Sequence, residues 1–146
     1  MKQFSKNILL ILMLLFVGIV HSQSVFGKWK TIDDRTGKPK GVIEIYKKDG
    51  MMFGKVIEVL EEGKEGGLCE KCEGERMNKP FLGMTIIKDG KENEDGEWKG
   101  KELFDPEQAM TFRFKIWLNP DNSKELKVRG YLAFIFRTQT WIRAEG

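Results

Sequence analysis

Histidine is almost absent from this sequence, which has one, His21, among its 146 residues. Cysteine and proline are also scarce, with two and four residues. His21 lies in a segment that we expect to be removed, so the mature chain has no imidazole. This excludes Ser-His-Asp and Cys-His catalysis, histidine-ligated zinc and the usual proton shuttle near neutral pH. An enzyme based on lysine or on carboxylates stays open, but we expect no catalysis.

The sequence also lacks a hydrophobic run long enough to anchor it in a membrane. The uncharged run 8–20 follows Lys2 and Lys6, and it is shorter than the roughly 20 residues that cross a bilayer. With the small Ser22 at its end, this pattern predicts a signal peptide at 1–22 and an exported domain at 23–146. We therefore expect a periplasmic or secreted protein that has no stable membrane anchor after cleavage.

A large excess of one charge is missing too, because 25 basic residues face 22 acidic ones. Removal of the leader takes away two of the lysines and leaves the chain near neutral. Such a chain has no long-range field to attract nucleic acid, and we expect no nucleic-acid partner. Nothing in the sequence indicates an oligomeric state.

Short strands separated by Gly, Asp, Asn and Pro make up the remainder. Asp49-Gly50 between two apolar segments predicts a hairpin, and no stretch has helical periodicity. Strands joined in sequence order favour a single antiparallel up-and-down β-barrel of about eight strands over a sandwich, because closure leaves no exposed edge. We predict an all-β protein with strands at 26–32, 42–46, 52–60, 83–88, 98–104, 111–118, 126–136 and 138–143.

Aromatic residues follow the inner face that alternation assigns to the two longest strands. Phe112 and Phe114 alternate with polar residues on one strand, and Val128, Phe134 and Phe136 share a face of the other. These side chains either fill the barrel or line a cavity for a small apolar or amphipathic molecule. We predict Phe112, Phe114, Val128 and Phe134 as ligand-binding residues.

Arg129 and Tyr131 have the opposite parity to Val128, which by default places them on a solvated outer face. A register break at Gly130 would instead turn both side chains inward. The guanidinium would then need a partner, and an anionic head group of a ligand is one. On this second alternative we also keep Arg129 and Tyr131 as candidate ligand-binding residues.

Cys69 and Cys72 lie in the Gly- and Glu-rich segment 61–80. Two cysteines without histidine supply half of a zinc site, and the neighbouring carboxylates oppose a thiolate. An even number of cysteines in an exported protein indicates a disulfide, while a metal or intermolecular site and a redox pair are the alternatives. We predict a structural disulfide that stiffens the loop over one end of the barrel, with no metal site and no cofactor.

Two sets of residues resemble known families. Gly27-Lys28-Trp29 on the first strand looks like the G-x-W motif of the lipocalins and the wider calycin superfamily. In those barrels an arginine late in the chain crosses the face of the tryptophan and helps to close one end. The resemblance gives this role in barrel closure to Trp29 and Arg143.

A longer series of motifs is similar to DUF2147, a bacterial family of unknown function. This resemblance implies a small exported protein with a calycin-like β-barrel, and it implies no catalytic residue. The chain departs from the pattern at Ala109, where a turn glycine is more usual, and at Phe136, where a smaller residue is. The matching motifs are Gly27-x-Trp29, Phe53-Gly54-Lys55-Val56, Cys69-x-x-Cys72, Gly83-Met84, Asp105-Pro106, Leu126-Lys127-Val128-Arg129-Gly130-Tyr131 and Thr138-Gln139-Thr140-Trp141-x-Arg143.

The sequence therefore predicts an exported β-barrel that binds a small hydrophobic or amphipathic ligand in its interior. The alternative is a protein-interaction module of the cell envelope, with a packed barrel and no ligand. An internal cavity would distinguish the first from the second.

Overall fold

Eight antiparallel strands run through residues 23–144, which are the part of the chain that the computed structural model describes. The predicted leader, 1–22, lies outside these residues. Within them, no helix is both long and apolar enough to span a membrane. The strands are β1 (Gly27–Ile32), β2 (Pro39–Lys48), β3 (Met51–Val59), β4 (Thr85–Glu92), β5 (Trp98–Asp105), β6 (Met110–Asn119), β7 (Asn122–Leu132) and β8 (Ile135–Arg143).

The sheet closes on itself in sequence order, so that each strand pairs with the next and β8 pairs with β1. The closing register places Trp29 opposite Arg143 and Lys30 opposite Ile142. The Ala144 amide extends it by donating to the Lys28 carbonyl at 2.9 Å. The predicted up-and-down barrel is confirmed.

The two ends of the barrel are built differently. At the closed end, the β2–β3, β4–β5 and β6–β7 hairpins lie near residues 23–26, which pack against β1 and β8. At the open end lie the β1–β2 and β5–β6 turns, the β7–β8 turn and the long β3–β4 loop, which contains a short 3-10 turn at Gly74–Arg76. This distribution of the connections follows from the strand order, because consecutive connections of an antiparallel meander alternate between the two ends of the barrel.

The half of the barrel next to the closed end is filled by side chains. The Phe114 ring lies on two glycines of neighbouring strands, Gly90 and Gly100, and a Cβ at Gly100 would come within 2.5 Å of that ring. These glycines therefore provide the space that the aromatic ring occupies. The most deeply buried large side chains of this half are Trp29, Ile45, Met52, Ile87, Ile116 and Leu126.

Turn chemistry accounts for most strand limits. Asp49 and Gly50, with φ of 52° and 77°, form the predicted two-residue hairpin between β2 and β3. The predicted limits of the strand 83–88 are wrong, because β4 runs from Thr85 to Glu92. The chain turns later, where the Asn93 carboxamide oxygen accepts hydrogen bonds from two backbone amides.

The boundary between the last two strands also differs from the prediction. The chain turns at Ala133 and Phe134, and Leu132 pairs with Ile135, whereas alternation predicted one strand from 126 to 136. A two-residue turn changes which parity points inward. Even-numbered residues of β7 therefore face the interior, but on β8 the odd-numbered residues do, and Phe136 lies outside.

Candidate functional site

A cavity of about 620 Å³ occupies the open half of the barrel. It lies above the packed half, and its wall is predominantly apolar. The β3–β4 loop contributes two apolar side chains to the wall, Leu68 and Phe81. The apolar strand residues that line it are Ile32, Ile43, Val56, Val59, Ile86, Leu103, Phe104, Phe112, Val128 and Trp141.

Charged side chains surround the mouth of this cavity, with five of each sign. The basic ones are Arg35, Lys40, Lys64, Lys71 and Arg137, and the acidic ones are Glu58, Glu61, Glu70, Asp105 and Glu107. A mouth with both signs gives no strong field that would select a charged ligand by its sign.

Four of these residues form one ion-pair cluster across the mouth. The Glu107 carboxylate on the β5–β6 turn lies 2.5 Å from Lys40 Nζ on β2 and 3.4 Å from Lys64 Nζ on the β3–β4 loop. Lys64 also pairs with Glu61 at 2.8 Å. The cluster thus connects three separate segments of the open end.

The protonation equilibria reflect this cluster. Partial burial acts to raise the pKa of Glu107, but the hydrogen bond from Lys40 and the charges of Lys40 and Lys64 outweigh it, so the pKa lies below its usual value. The hydrogen bond to Glu61 raises the pKa of Lys64, with the charge of Glu107 acting in the same direction. Both shifts favour the charged forms of Glu107 and Lys64.

Polar groups from β8 reach the cavity between the apolar wall and the mouth. The Trp141 indole nitrogen donates to Gln139 Oε1 at 3.2 Å. Since an indole can only donate, the Gln139 amide group is oriented with its N–H donors away from that ring. Among residues 23–144 nothing accepts from these donors, so they are available to a ligand. Arg137 lies nearer the mouth and pairs with Asp34 of the β1–β2 turn.

The β3–β4 loop folds back over the open end. Cys69 and Cys72 are at disulfide distance, and both are buried. The Cys69 amide donates to the Lys79 carbonyl at 2.8 Å, and the Cys69 sulfur lies 3.4 Å from the Pro106 carbonyl oxygen. The disulfide therefore packs against the β5–β6 turn and holds the loop at the mouth.

The predicted ligand-binding residues separate into three groups. Phe112 and Val128 line the cavity. Phe114 is inside the barrel but belongs to the packed half, in contact with Gly100. Arg129, Tyr131 and Phe134 lie outside the cavity.

The outer position of Arg129 follows from a regular β7. Its pairing continues through Gly130 without a bulge, so the register break that would turn Arg129 and Tyr131 inward is absent. Arg129 Nε donates to Thr138 Oγ1 at 2.7 Å on the outer surface. The prediction that Phe134 shares the interior face is wrong, because Phe134 is at the β7–β8 turn and is 91% exposed.

At the closed end, the Arg143 guanidinium lies 4.1 Å from the centre of the Trp29 ring. It also donates to the carbonyls of Ser24 and Phe26, at 2.6 and 3.3 Å. Gly27 has φ of 125°, and a Cβ there would lie 3.1 Å from the guanidinium. Both facts explain glycine at this place. Burial lowers the pKa of Arg143, but an arginine remains charged.

Alternation alone did not identify several of the residues that build the site. Arg137, Gln139 and Trp141 line the cavity. If the turn had been predicted at residues 133–134, alternation along β8 would have placed these odd-numbered residues on the inner face. Leu68 and Phe81 belong to a loop with no periodicity, so no sequence signal indicated them. Within residues 23–144, no group of three or more His, Cys, Asp or Glu side chains is close enough to hold a metal ion.

Fold and cavity together define a class, the calycin-like barrels with eight strands, one closed end and one open end. More particularly, the chain belongs to DUF2147, a family described as uncharacterized protein conserved in bacteria, whose family model matches residues 27–143. The fold is similar to that of HP1028 from Helicobacter pylori, a protein described as belonging to the lipocalin family. The TM-score is 0.69 at 16% identity, over 84% of each chain. No curated protein matches the sequence.

Proposed function

We propose that this protein binds a small hydrophobic or amphipathic molecule in the cavity at its open end, and that it does so without catalysis. The observation that supports this most directly is an apolar space of about 620 Å³ with one charged mouth. Pockets for small ligands typically have volumes of about 300–1,000 Å³. Proteins with barrels of this class include binders of one small ligand within eight strands.

The arrangement of the wall suggests how such a ligand lies. Its apolar part contacts Ile43, Val56 and Phe112, and a hydrogen-bond acceptor on it meets the Gln139 amide group. A polar end reaches the mouth near Arg137. Because the mouth has both signs of charge, a neutral or zwitterionic end group fits as well as an anionic one.

The alternative, an interaction module with a packed barrel, requires side chains where the cavity lies. The packed half has them, but the upper half does not, and this favours ligand binding. The enzyme alternative has less support, because two of the acidic groups near the cavity already have partners. Glu107 pairs with Lys40, and Asp105 accepts a hydrogen bond from the Glu107 amide.

We also propose that the protein is exported from the bacterial cytoplasm. The composition of residues 1–22 supports this, and so does a cysteine pair at disulfide distance, because disulfides persist in oxidising compartments.

A substitution that fills the cavity tests the proposal. A Cβ at Gly130 would be in ordinary contact with Phe112, at 3.6 Å, so Gly130→Leu directs an isobutyl group into the space without a clash at Cβ. We expect wild type to bind the fluorescent probe N-phenyl-1-naphthylamine, and Gly130→Leu to bind it at least about tenfold more weakly.

Thr111→Leu is the matched control, since it adds the same side chain to the outer face of β6, where Thr111 is exposed. Circular dichroism establishes that both variants stay folded. Equal probe affinity in wild type and Gly130→Leu, or no binding by wild type, would contradict ligand binding in this cavity.

A further inference from the structure

The β7–β8 turn exposes apolar side chains at a place where turns usually have polar ones. We call residues 132–136 the β7–β8 tip. Its two turn residues, Ala133 and Phe134, are neither Gly, Asn, Asp nor Pro, and Ala133 has φ of 54°. Exposed apolar clusters of this kind mark interaction sites. The exposed fractions are 47% for Leu132, 91% for Phe134, 64% for Ile135 and 56% for Phe136.

Two arginines lie beside the tip on the outer face. The Arg129 guanidinium is 4.5 Å from the centre of the Phe136 ring, and the Arg113 guanidinium is 5.6 Å from that of Tyr131. Arg113 also donates to the Ala133 carbonyl at 2.8 Å. Neither arginine forms a salt bridge with a carboxylate of the described residues 23–144. Their positive charge is therefore not neutralised locally.

These groups are layered along the strands. Apolar side chains occupy the apex, and Tyr131 and Phe136 follow as a cross-strand pair. Arg129 is farther from the apex, opposite Thr138, whereas the Arg113 guanidinium reaches up to the Ala133 carbonyl. Arg129 is three residues from Leu132 along β7, which is about 10 Å at the usual rise of a strand. Trp117 is next, 5.1 Å from the Arg129 guanidinium. A bilayer surface has a comparable arrangement, with acyl chains deepest and with aromatic side chains and lipid phosphates together in the interfacial region.

We propose that the β7–β8 tip docks the open end of the barrel onto a bilayer that contains anionic lipid. Phe134 and Ile135 enter the acyl region, and Arg113 and Arg129 contact lipid phosphates. Guanidinium groups match phosphate through paired hydrogen bonds. This charge complementarity is what identifies the occupant as an anionic surface.

A bilayer fits the tip better than a protein partner does. Stable protein interfaces bury about 1,200–2,000 Å², and a two-residue hairpin apex is too narrow for that area. Interfacial binding to lipid needs only a few inserted apolar side chains together with nearby cations. The tip also adjoins the cavity, because Arg137 near the tip lines its mouth. Docking therefore brings the mouth close to the lipid.

Flotation with vesicles tests the docking. We expect wild type to bind vesicles of phosphatidylcholine mixed with phosphatidylglycerol at least about tenfold better than phosphatidylcholine alone, and less well at high salt. Replacing Phe134 and Ile135 with Ser lowers binding to the mixed vesicles about tenfold or more. Arg113→Gln with Arg129→Gln lowers it by a similar factor.

Two control variants separate this site from general adhesion. Leu82→Ser removes an apolar side chain that is 51% exposed in the β3–β4 loop, and Lys101→Gln removes an exposed cation of β5. Both should bind vesicles as wild type does. Failure of wild type to bind, or an equal loss in the controls, would overturn the proposal.

Sedimentation gives a further test. Self-association of wild type that Phe134→Ser abolishes, without vesicle binding, would make the tip a protein interface and also overturn the proposal. The docking proposal does not rest on ligand binding. Vesicle flotation tests the docking, probe binding by Gly130→Leu tests the cavity, and either result can be negative without affecting the other.

Discussion

Replacing Arg143 with Met should destabilise the barrel strongly, because this side chain connects three parts of the closed end. The substitution removes the contact with the Trp29 ring, at 4.1 Å, which contributes about 0.5–2 kcal/mol. It also removes hydrogen bonds to the Ser24 and Phe26 carbonyls, each worth about 1.5–3 kcal/mol when a charged donor is fully buried. Arg143 is only partly buried, so we expect the free energy of unfolding to fall by about 2–4 kcal/mol.

Urea unfolding followed by tryptophan fluorescence measures this change, and the chain provides a matched control. Arg137 is also on β8 and also faces inward, but it lies at the open end, where its side chain is 65% exposed. Arg137→Met should therefore cost less than about 1 kcal/mol. If Arg143→Met costs no more than Arg137→Met, the closed end does not depend on this guanidinium and the reasoning is refuted.

Three further predictions concern the interior, the loop and the mouth. Gly100→Ala places a Cβ 2.5 Å from the Phe114 ring and should lower the free energy of unfolding, measured by thermal unfolding, by about 1–3 kcal/mol. Gly130→Ala is the control and should be neutral or stabilise by up to about 1 kcal/mol. If Gly130→Ala proved the more destabilising of the two, the packing described would be contradicted. Replacing both Cys69 and Cys72 with Ala should lower the free energy of unfolding by about 1–2 kcal/mol and speed tryptic cleavage after Lys64 and Lys71. Unchanged cleavage would show that the disulfide does not restrain the loop. Because the pKa of Glu107 is lower in the folded state than its usual 4.5, its stabilising effect is present above about pH 4.5 and is lost as the pH falls through the folded value. Urea unfolding should therefore show wild type more stable than Glu107→Gln at pH 7, by less than about 1 kcal/mol. This difference should shrink as the pH falls below about 4.5, and a difference that stays constant down to the lowest pH at which the barrel is folded would contradict the ion pair.

The barrel itself was predictable because two independent signals agree along most of the chain. Alternation identifies the inner face of β6, and turn residues such as Asp49-Gly50 fix where strands end. Closure follows from the edge argument, and the structure confirms it. Depth along the barrel axis was not predictable, since Phe112 and Phe114 have the same parity but one lines the cavity and the other fills the packed half.

The wrong predictions concern segments whose residues are not typical of the structure that they adopt. Leu132-Ala133-Phe134-Ile135 contains no turn residue, so alternation continued through a real turn and assigned the wrong face to Phe136. Gln139 was given no face at all. The β5–β6 turn is a second place where a residue is unusual for its conformation. Ala109 replaces a more usual glycine and adopts φ of 52°, a conformation that glycine adopts without strain.

The β7–β8 turn is where the prediction from sequence differs most from the structure, and it is also the site of the proposed docking. Its unusual residues account for both. A turn selected only for folding would contain Gly, Asn or Asp, which reach positive φ at little cost and leave polar groups in water. Ala133 with φ of 54° and the exposed Phe134 violate both expectations. Local rules fail most often where a sequence is retained for function rather than for stability. If so, Ala133→Gly with Phe134→Asn should raise the melting temperature of the barrel while lowering its binding to anionic vesicles. A variant that gains stability and keeps full vesicle binding would separate the unusual turn from any role at a membrane.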